Sequence, residues 1–156
     1  MTLAQALARA AVLGLQRLDA QLLLLHALGR GPGERAWLLA HDTDELPVAS
    51  QQAFDALCAR RAAGEPVAYL VGEKEFFGLP LAVDRRVLVP RPDTETVIEV
   101  ARSLLPEPAT PRRVLDLCTG SGAIALALAT ELPGARVIAT DVSPAAVAIA
   151  RRNVDR

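Results

Sequence analysis

The stretch from Arg113 to Val154 constrains the fold more than any other part of the chain. A short apolar segment, Arg113–Leu117, runs into a glycine-rich turn. The apolar periodicity then predicts a helix over Ser121–Glu131, a strand over Arg136–Thr140 and a helix over Pro144–Val154. The order strand, turn, helix, strand, helix predicts the opening of a doubly wound α/β sheet.

The glycine turn predicts a site for a nucleoside-containing cofactor. The run Val114–Gly122 is a buried strand entering a tight turn, where Gly120 and Gly122 permit positive φ and close approach of a ligand to the backbone. Asp141 ends the next strand, at the spacing of about 20 residues that places a carboxylate against a ribose diol. The run from Gly120 to Ala125 also satisfies the dinucleotide pattern, so a nicotinamide cofactor remains an alternative.

Two details favour S-adenosylmethionine over a nicotinamide cofactor. Asp116 lies at the strand end, where its charge repels a pyrophosphate but attracts an ammonium or a sulfonium. The segment from Asp141 to Asn153 resembles the second strand-to-helix segment of class I methyltransferases. A P-loop is excluded because no Gly-Lys-Ser or Gly-Lys-Thr follows the glycines.

Residues 1–64 predict a small helical bundle. Apolar residues recur at helical spacing around Leu7 and again from Leu18 to Leu28, before Gly29. A short helix over Glu34–Ala40 and a longer one, capped by Ser50 and ending near Ala63, complete the predicted bundle.

The pattern changes over residues 65–92. Val67, Tyr69 and Val71 alternate with other residues, and two short apolar segments flank the Gly78-Leu79-Pro80 turn. This predicts a linker of one or two β-hairpins. A helix capped by Asp93 or Thr94 and running to about Leu105 then opens the α/β part, residues 93–156.

Composition excludes several function classes. Hydrophobic residues make up 51% of the chain, and a net charge of −1 argues against a general nucleic-acid binder. Cys58 and Cys118 lack metal spacing, so we predict no metal site and expect reduced thiols of a cytoplasmic protein. We predict neither a signal peptide at Met1–Ala10 nor a membrane span, because apolar runs such as Leu22–Leu25 are far too short to cross a bilayer.

Three further segments carry a resemblance to a known family. Gly64–Gly72, Glu75–Leu81 and Val89–Glu95, the last reading Val-Pro-Arg-Pro-Asp-Thr-Glu, closely resemble the release-factor glutamine methyltransferases, the PrmC/HemK family. The resemblance covers essentially the whole chain. It implies an N-terminal bundle, a hairpin linker and the first βαβα part of a class I, S-adenosylmethionine-dependent, Rossmann-like domain that is truncated here.

The family transfers a methyl group from S-adenosylmethionine to the amide nitrogen of the glutamine in the Gly-Gly-Gln loop of bacterial class I peptide release factors, which the bundle helps to hold. The resemblance therefore implies a release factor as the partner and no direct nucleic-acid binding. By position, it implies that the cofactor lies against Asp116 and the loop Cys118, Thr119, Gly120, Ser121 and Gly122, with Asp141 on the ribose and Arg91, Pro92 and Thr94 near the pocket. The family commonly has glycine where this chain has Cys118.

The family holds its substrate amide with an Asn-Pro-Pro-Tyr loop, which does not occur in these 156 residues. We therefore assign no catalytic residue and expect the chain to be inactive alone. In the family's sheet the first strand lies between two others. We therefore expect Val114–Leu117 to have an unpaired apolar edge and the C-terminal half to be poorly stable and aggregation-prone.

Three alternatives remain open at the level of sequence. A nucleic-acid amino-methyltransferase uses the same fold and loop, although the bundle and the near-neutral charge speak against it. The chain could also be a non-catalytic fragment that binds a release factor, or a nicotinamide-dependent enzyme.

Overall fold

The N-terminal helices begin with a side-chain cap. The Thr2 hydroxyl accepts a hydrogen bond from the Gln5 N–H, and the Gln5 side chain accepts one from the Thr2 N–H, so two donors of the first helical turn are satisfied. The computed structural model describes all 156 residues, which divide into two units, Met1–Val71 and Gly72–Arg156.

The first unit is entirely helical. Its helices are α1 (Leu3–Val12), α2 (Arg17–Ala27), α3 (Arg35–Ala40), α4 (Val48–Ala62) and α5 (Val67–Val71). Apolar side chains from all five helices form its core, and they include Leu3, Leu23, Leu24, Leu25, Leu38, Phe54, Cys58 and Leu70. The predicted bundle is therefore present, with one helix more than the sequence pattern indicated.

The added helix corrects two predictions. Val67–Val71 is α5 rather than a strand, because the Pro66 carbonyl accepts the N–H groups of Tyr69 and Leu70 and the Leu70 side chain is buried in the helical core. Residues 65–71, which we assigned to the hairpin linker, thus belong to the helical unit. The end of the bundle predicted at residue 64 is too early.

Helix α4 corrects the predicted cap at Ser50. The helix begins at Val48, after Pro47 at the cap position, and Ser50 lies inside its first turn. A proline suits this end because it has no N–H that would need a partner.

The second unit opens with an antiparallel hairpin, β1 (Glu73–Phe76) and β2 (Leu79–Ala82). Its two turn residues, Phe77 and Gly78, have φ of 49° and 77°, as in the turns that match the twist of paired strands. The hairpin predicted for residues 65–92 is therefore present, but it covers only residues 73–82.

A β-α-β-α segment follows the hairpin. A 3₁₀ turn, Pro92–Thr94, leads into α6 (Glu95–Leu104), and then come β3 (Arg112–Leu117), α7 (Ala123–Glu131), β4 (Ala135–Thr140) and α8 (Pro144–Val154). Strands β3 and β4 are parallel, and they pair from Arg112 with Ala135 to Leu117 with Thr140. The predicted α/β order is confirmed, and it forms the opening of a Rossmann-like sheet.

One face of this sheet is covered and the other is open. Phe76, Ile98 and Ala127 contribute to a buried cluster against which Val114 and Ala135 pack. On the opposite face, Leu115 and Leu117 are 58% and 67% exposed. β3 pairs only with β4, so the predicted unpaired edge is present.

None of the helices combines the length and the apolarity that crossing a membrane requires.

Candidate cofactor site at the carboxyl ends of β3 and β4

The turn between β3 and α7 has the backbone shape that its glycines predicted. Gly120 and Gly122 have φ of 57° and 83°. The Thr119 N–H donates to the Thr140 carbonyl at the end of β4, and the Gly122 N–H donates back to the Thr119 carbonyl, both at 2.9 Å. Because Gly122 is not helical, α7 begins at Ala123 rather than at Ser121 as predicted.

The two glycines serve different purposes. A Cβ added at Gly120 would meet nothing within 4 Å, so the backbone there borders open space that a ligand can approach. A Cβ at Gly122 would lie 3.2 Å from the Cβ of Ala150 on α8. Gly120 therefore borders open space, whereas Gly122 lets α8 pack closely against the turn.

Cys118 adopts a conformation that favours glycine. Its φ is 63°, in the left-handed region where the Cβ of an L-residue is crowded, and its side chain is exposed. The backbone at Cys118 therefore favours glycine, which is the residue that the resemblance implies at this position.

Asp116 lies beneath the turn. It is 9% exposed, and its Oδ2 accepts a hydrogen bond of 2.6 Å from the Thr119 hydroxyl. A buried carboxylate with a short hydrogen bond holds the turn and supplies negative charge next to it.

Asp141 lies at the end of β4 and is bound to the turn. Its Oδ2 accepts the Gly120 N–H and its Oδ1 accepts the Ser143 N–H, both at 2.9 Å. These backbone donors, with Ser143 contributing most, hold the pKa of the Asp141 carboxyl below its usual range. Each oxygen keeps acceptor capacity, so the carboxylate can also receive ligand hydroxyls.

The structure brings together the two aspartates and the residues from Cys118 to Gly122. Arg91 and Thr94 take no part in holding the turn. Arg91 is exposed and extended before the 3₁₀ turn, and the half-buried Thr94 donates its N–H to the Arg91 carbonyl. Pro92, which lies between them, is also exposed.

Two side chains with long-range hydrogen bonds were not predicted from the sequence, one at this site and one at the hairpin turn. Asn153 on α8 is 7% exposed and binds both the Ser121 carbonyl and the backbone of Ala82. Glu95 accepts the N–H of Phe77 at the hairpin turn. The signal for Asn153 was a polar residue on the apolar face that carries Ile149 and Ala150.

Two family models match the chain. The PrmC N-terminal domain matches residues 2–72, and a methyltransferase domain matches residues 114–156. The first match ends within one residue of the boundary between the two units. The second includes the glycine turn and Asp141.

Curated relatives match across both units. The release factor glutamine methyltransferase of Bordetella pertussis is 54% identical over 92% of this chain and 52% of its own length. The proteins of that name from Escherichia coli and Xylella fastidiosa are each 50% identical, over 88% and 95% of this chain. The chain spans about half the length of these relatives. By these matches, the chain is similar to the N-terminal portion of release factor glutamine methyltransferases over both of its units.

Proposed function

We propose that this chain forms the cofactor-binding part of an enzyme that uses S-adenosylmethionine to methylate the Gly-Gly-Gln glutamine of bacterial class I release factors. The observation that carries the proposal is the hydrogen bond between the Asp141 carboxylate and the Gly120 N–H. This bond connects the Asp141 carboxylate, which is suited to bind a ribose diol, to Gly120. Gly120 is the glycine of the turn where an added Cβ would meet no other atom within 4 Å. The names of the relatives supply the substrate class.

The charges at the turn support S-adenosylmethionine over a nicotinamide cofactor. Asp116 is bound beneath the turn, so a carboxylate lies next to the place where a dinucleotide would put its pyrophosphate, whereas Asp141 suits the ribose of either cofactor. Like charges repel, whereas the ammonium and sulfonium groups of S-adenosylmethionine are attracted. Thr119 and Gly120 then line the space between the two carboxylates.

Methyl transfer to an amide needs more than a bound donor. The amide lone pair is delocalised into the carbonyl, so an enzyme must hold the nitrogen in line with the methyl carbon and accept its N–H groups. The resemblance to this family implies that an Asn-Pro-Pro-Tyr sequence does that work, and none occurs in these 156 residues. We therefore propose that these residues bind and orient the donor and that they do not methylate on their own.

We assign the helical unit to release-factor binding. Its match to the PrmC N-terminal domain supports this assignment, and the net charge of −1 gives no support for a nucleic-acid surface.

A chimaera tests the proposal. These 156 residues would be joined to the remaining C-terminal half of the Bordetella pertussis relative and supplied with tritiated S-adenosylmethionine and either a release factor or DNA. We expect label on the Gly-Gly-Gln glutamine, located by mass spectrometry, none on DNA, and none from the 156 residues alone. Label on adenine, or a folded chimaera that binds the donor without labelling the release factor, would contradict the proposal.

Asp141→Asn in the chimaera is the matched variant. It keeps the side-chain shape but halves the acceptor capacity towards ribose, so the Kd for S-adenosylmethionine should rise. Arg113→Gln, an exposed position at the other end of β3, is the control and should leave that Kd unchanged.

A further inference from the structure

The Asn153 side chain on α8 is a buried amide with every polar group in use. Its Nδ2 donates to the Ala82 carbonyl at 3.0 Å and to the Ser121 carbonyl at 2.9 Å, and its Oδ1 accepts the Ala82 N–H at 2.7 Å. At 7% exposed, it has little water to replace a lost partner. An amide is the only side-chain group that donates twice and accepts in this arrangement.

Two of these bonds close an open strand edge. The hairpin has only two strands, and Ala82 is the last residue of β2. The Asn153 side chain hydrogen-bonds both the N–H and the carbonyl of Ala82, as the backbone of a neighbouring strand would do. The amide thereby fixes the end of the hairpin, from which the chain continues towards the Val89–Glu95 run.

The third bond reaches the middle of the cofactor turn. Ser121 lies between the two glycines and is 3% exposed. Its carbonyl belongs to the same planar peptide unit as the Gly122 N–H, so holding the oxygen also fixes the direction of that N–H. The Gly122 N–H closes the turn on the Thr119 carbonyl.

A second contact from α8 supports the turn at the same point. Ala150, one helical turn before Asn153, lies against Gly122, where an added Cβ would come within 3.2 Å of its side chain. Ala150 thus packs against the turn while Asn153 hydrogen-bonds it. Neither contact involves the face on which Gly120 is open.

We propose that Asn153 is a positioning residue that locks the cofactor turn to the end of the β-hairpin, so that the affinity for S-adenosylmethionine depends on a side chain outside the cofactor pocket. The proposal rests on the proposed function for the identity of the ligand, but not for the lock itself. It links the turn that holds the donor to the segment that carries Arg91 and Thr94.

The first test compares Asn153→Asp with Arg152→Ala. The aspartate keeps the size and the acceptor but removes both donors, whereas Arg152 is the exposed neighbour on the same helix. Titration calorimetry with S-adenosylhomocysteine should show a Kd at least about tenfold higher for Asn153→Asp, because two buried carbonyls lose their donors. Arg152→Ala should match the wild type. Equal affinity of a folded Asn153→Asp chain, or an equal loss in Arg152→Ala, would overturn the proposal.

The second test uses amide hydrogen exchange and needs no ligand. In Asn153→Asp, exchange at Gly122 should rise by about tenfold because the Ser121 carbonyl loses its donor, while the Ala82 N–H, whose acceptor remains, and the central amides of α8 keep their protection. A uniform rise across the second unit indicates a merely structural role and would overturn the proposal. If the wild type binds no S-adenosylhomocysteine, the cofactor assignment is wrong. The exchange result still tests whether Asn153 fixes the turn to the end of the hairpin.

A third measurement uses the wild-type chain alone, in case the variant does not fold. The two Nδ2 protons of Asn153 should exchange with solvent far more slowly than those of an exposed asparagine or glutamine side chain, because both are bonded to carbonyls. Gln52, exposed on α4, is the internal reference. Equal exchange rates at Asn153 and Gln52 would overturn the proposal.

Discussion

Replacing Cys118 by glycine should stabilise the connection between β3 and α7. Cys118 has a φ of 63° and an exposed side chain, so glycine relieves the backbone without removing buried surface. The left-handed conformation costs an L-residue about 1–2 kcal/mol. Glycine lowers the stability by about 0.5–1 kcal/mol because it has greater freedom in the unfolded chain. The net gain in the stability of this segment is therefore about 0.5–1 kcal/mol.

Cys118→Ala is the matched control, because it removes the thiol but keeps the Cβ that crowds the backbone. Amide exchange followed by NMR at Thr119 and Gly122, whose N–H groups close the turn, measures the opening of this segment. The gain corresponds to an opening constant about two- to fivefold smaller in Cys118→Gly than in Cys118→Ala. Equal or faster exchange in the glycine variant would refute the assignment of strain to this residue.

Three further predictions concern the second unit and the two thiols. Asp141→Asn should destabilise the second unit at neutral pH. Because the native carboxyl has a lowered pKa, its contribution is complete above the ordinary aspartate pKa of about 3.9 and is lost as the pH falls through the lowered value. Urea denaturation of variant and wild type should therefore converge at low pH, and a constant difference contradicts the linkage. Gly122→Ala should lower the free energy of unfolding by about 1–3 kcal/mol more than Gly120→Ala does, because both positions have positive φ but only a Cβ at Gly122 meets α8. Equal urea midpoints for the two variants would contradict this prediction. A disulfide reagent near neutral pH should label Cys118 alone, because burial raises the pKa of the Cys58 thiol to about 11; rapid labelling of both thiols in the folded chain would exclude this.

The sequence was sufficient for the parts of the fold that local pattern determines. The strand, turn and helix around Gly120 could be predicted because apolar periodicity and the need for positive φ act within a few residues. Asp141 could be placed for the same reason: in a β-α-β unit, the carboxyl ends of parallel strands meet at one edge.

The missed features depend on contacts between distant residues. Val67–Val71 alternates like a strand but is helical, since five residues do not distinguish the two periods and the packing of Leu70 decides. The partners Asn153 and Ala82 lie 71 residues apart in the chain, and Phe77 and Glu95 lie 18 apart. No local pattern indicates such pairings.

The most direct test of the cofactor site is a ligand titration of the ¹⁵N-labelled 156-residue chain, followed by NMR. S-adenosylhomocysteine should shift the backbone resonances of Leu117–Gly122 and of Asp141, while NAD at the same concentration should shift none of them. Shifts of the same residues by NAD, or an unshifted turn in a chain whose spectrum shows the second unit folded, would contradict the account.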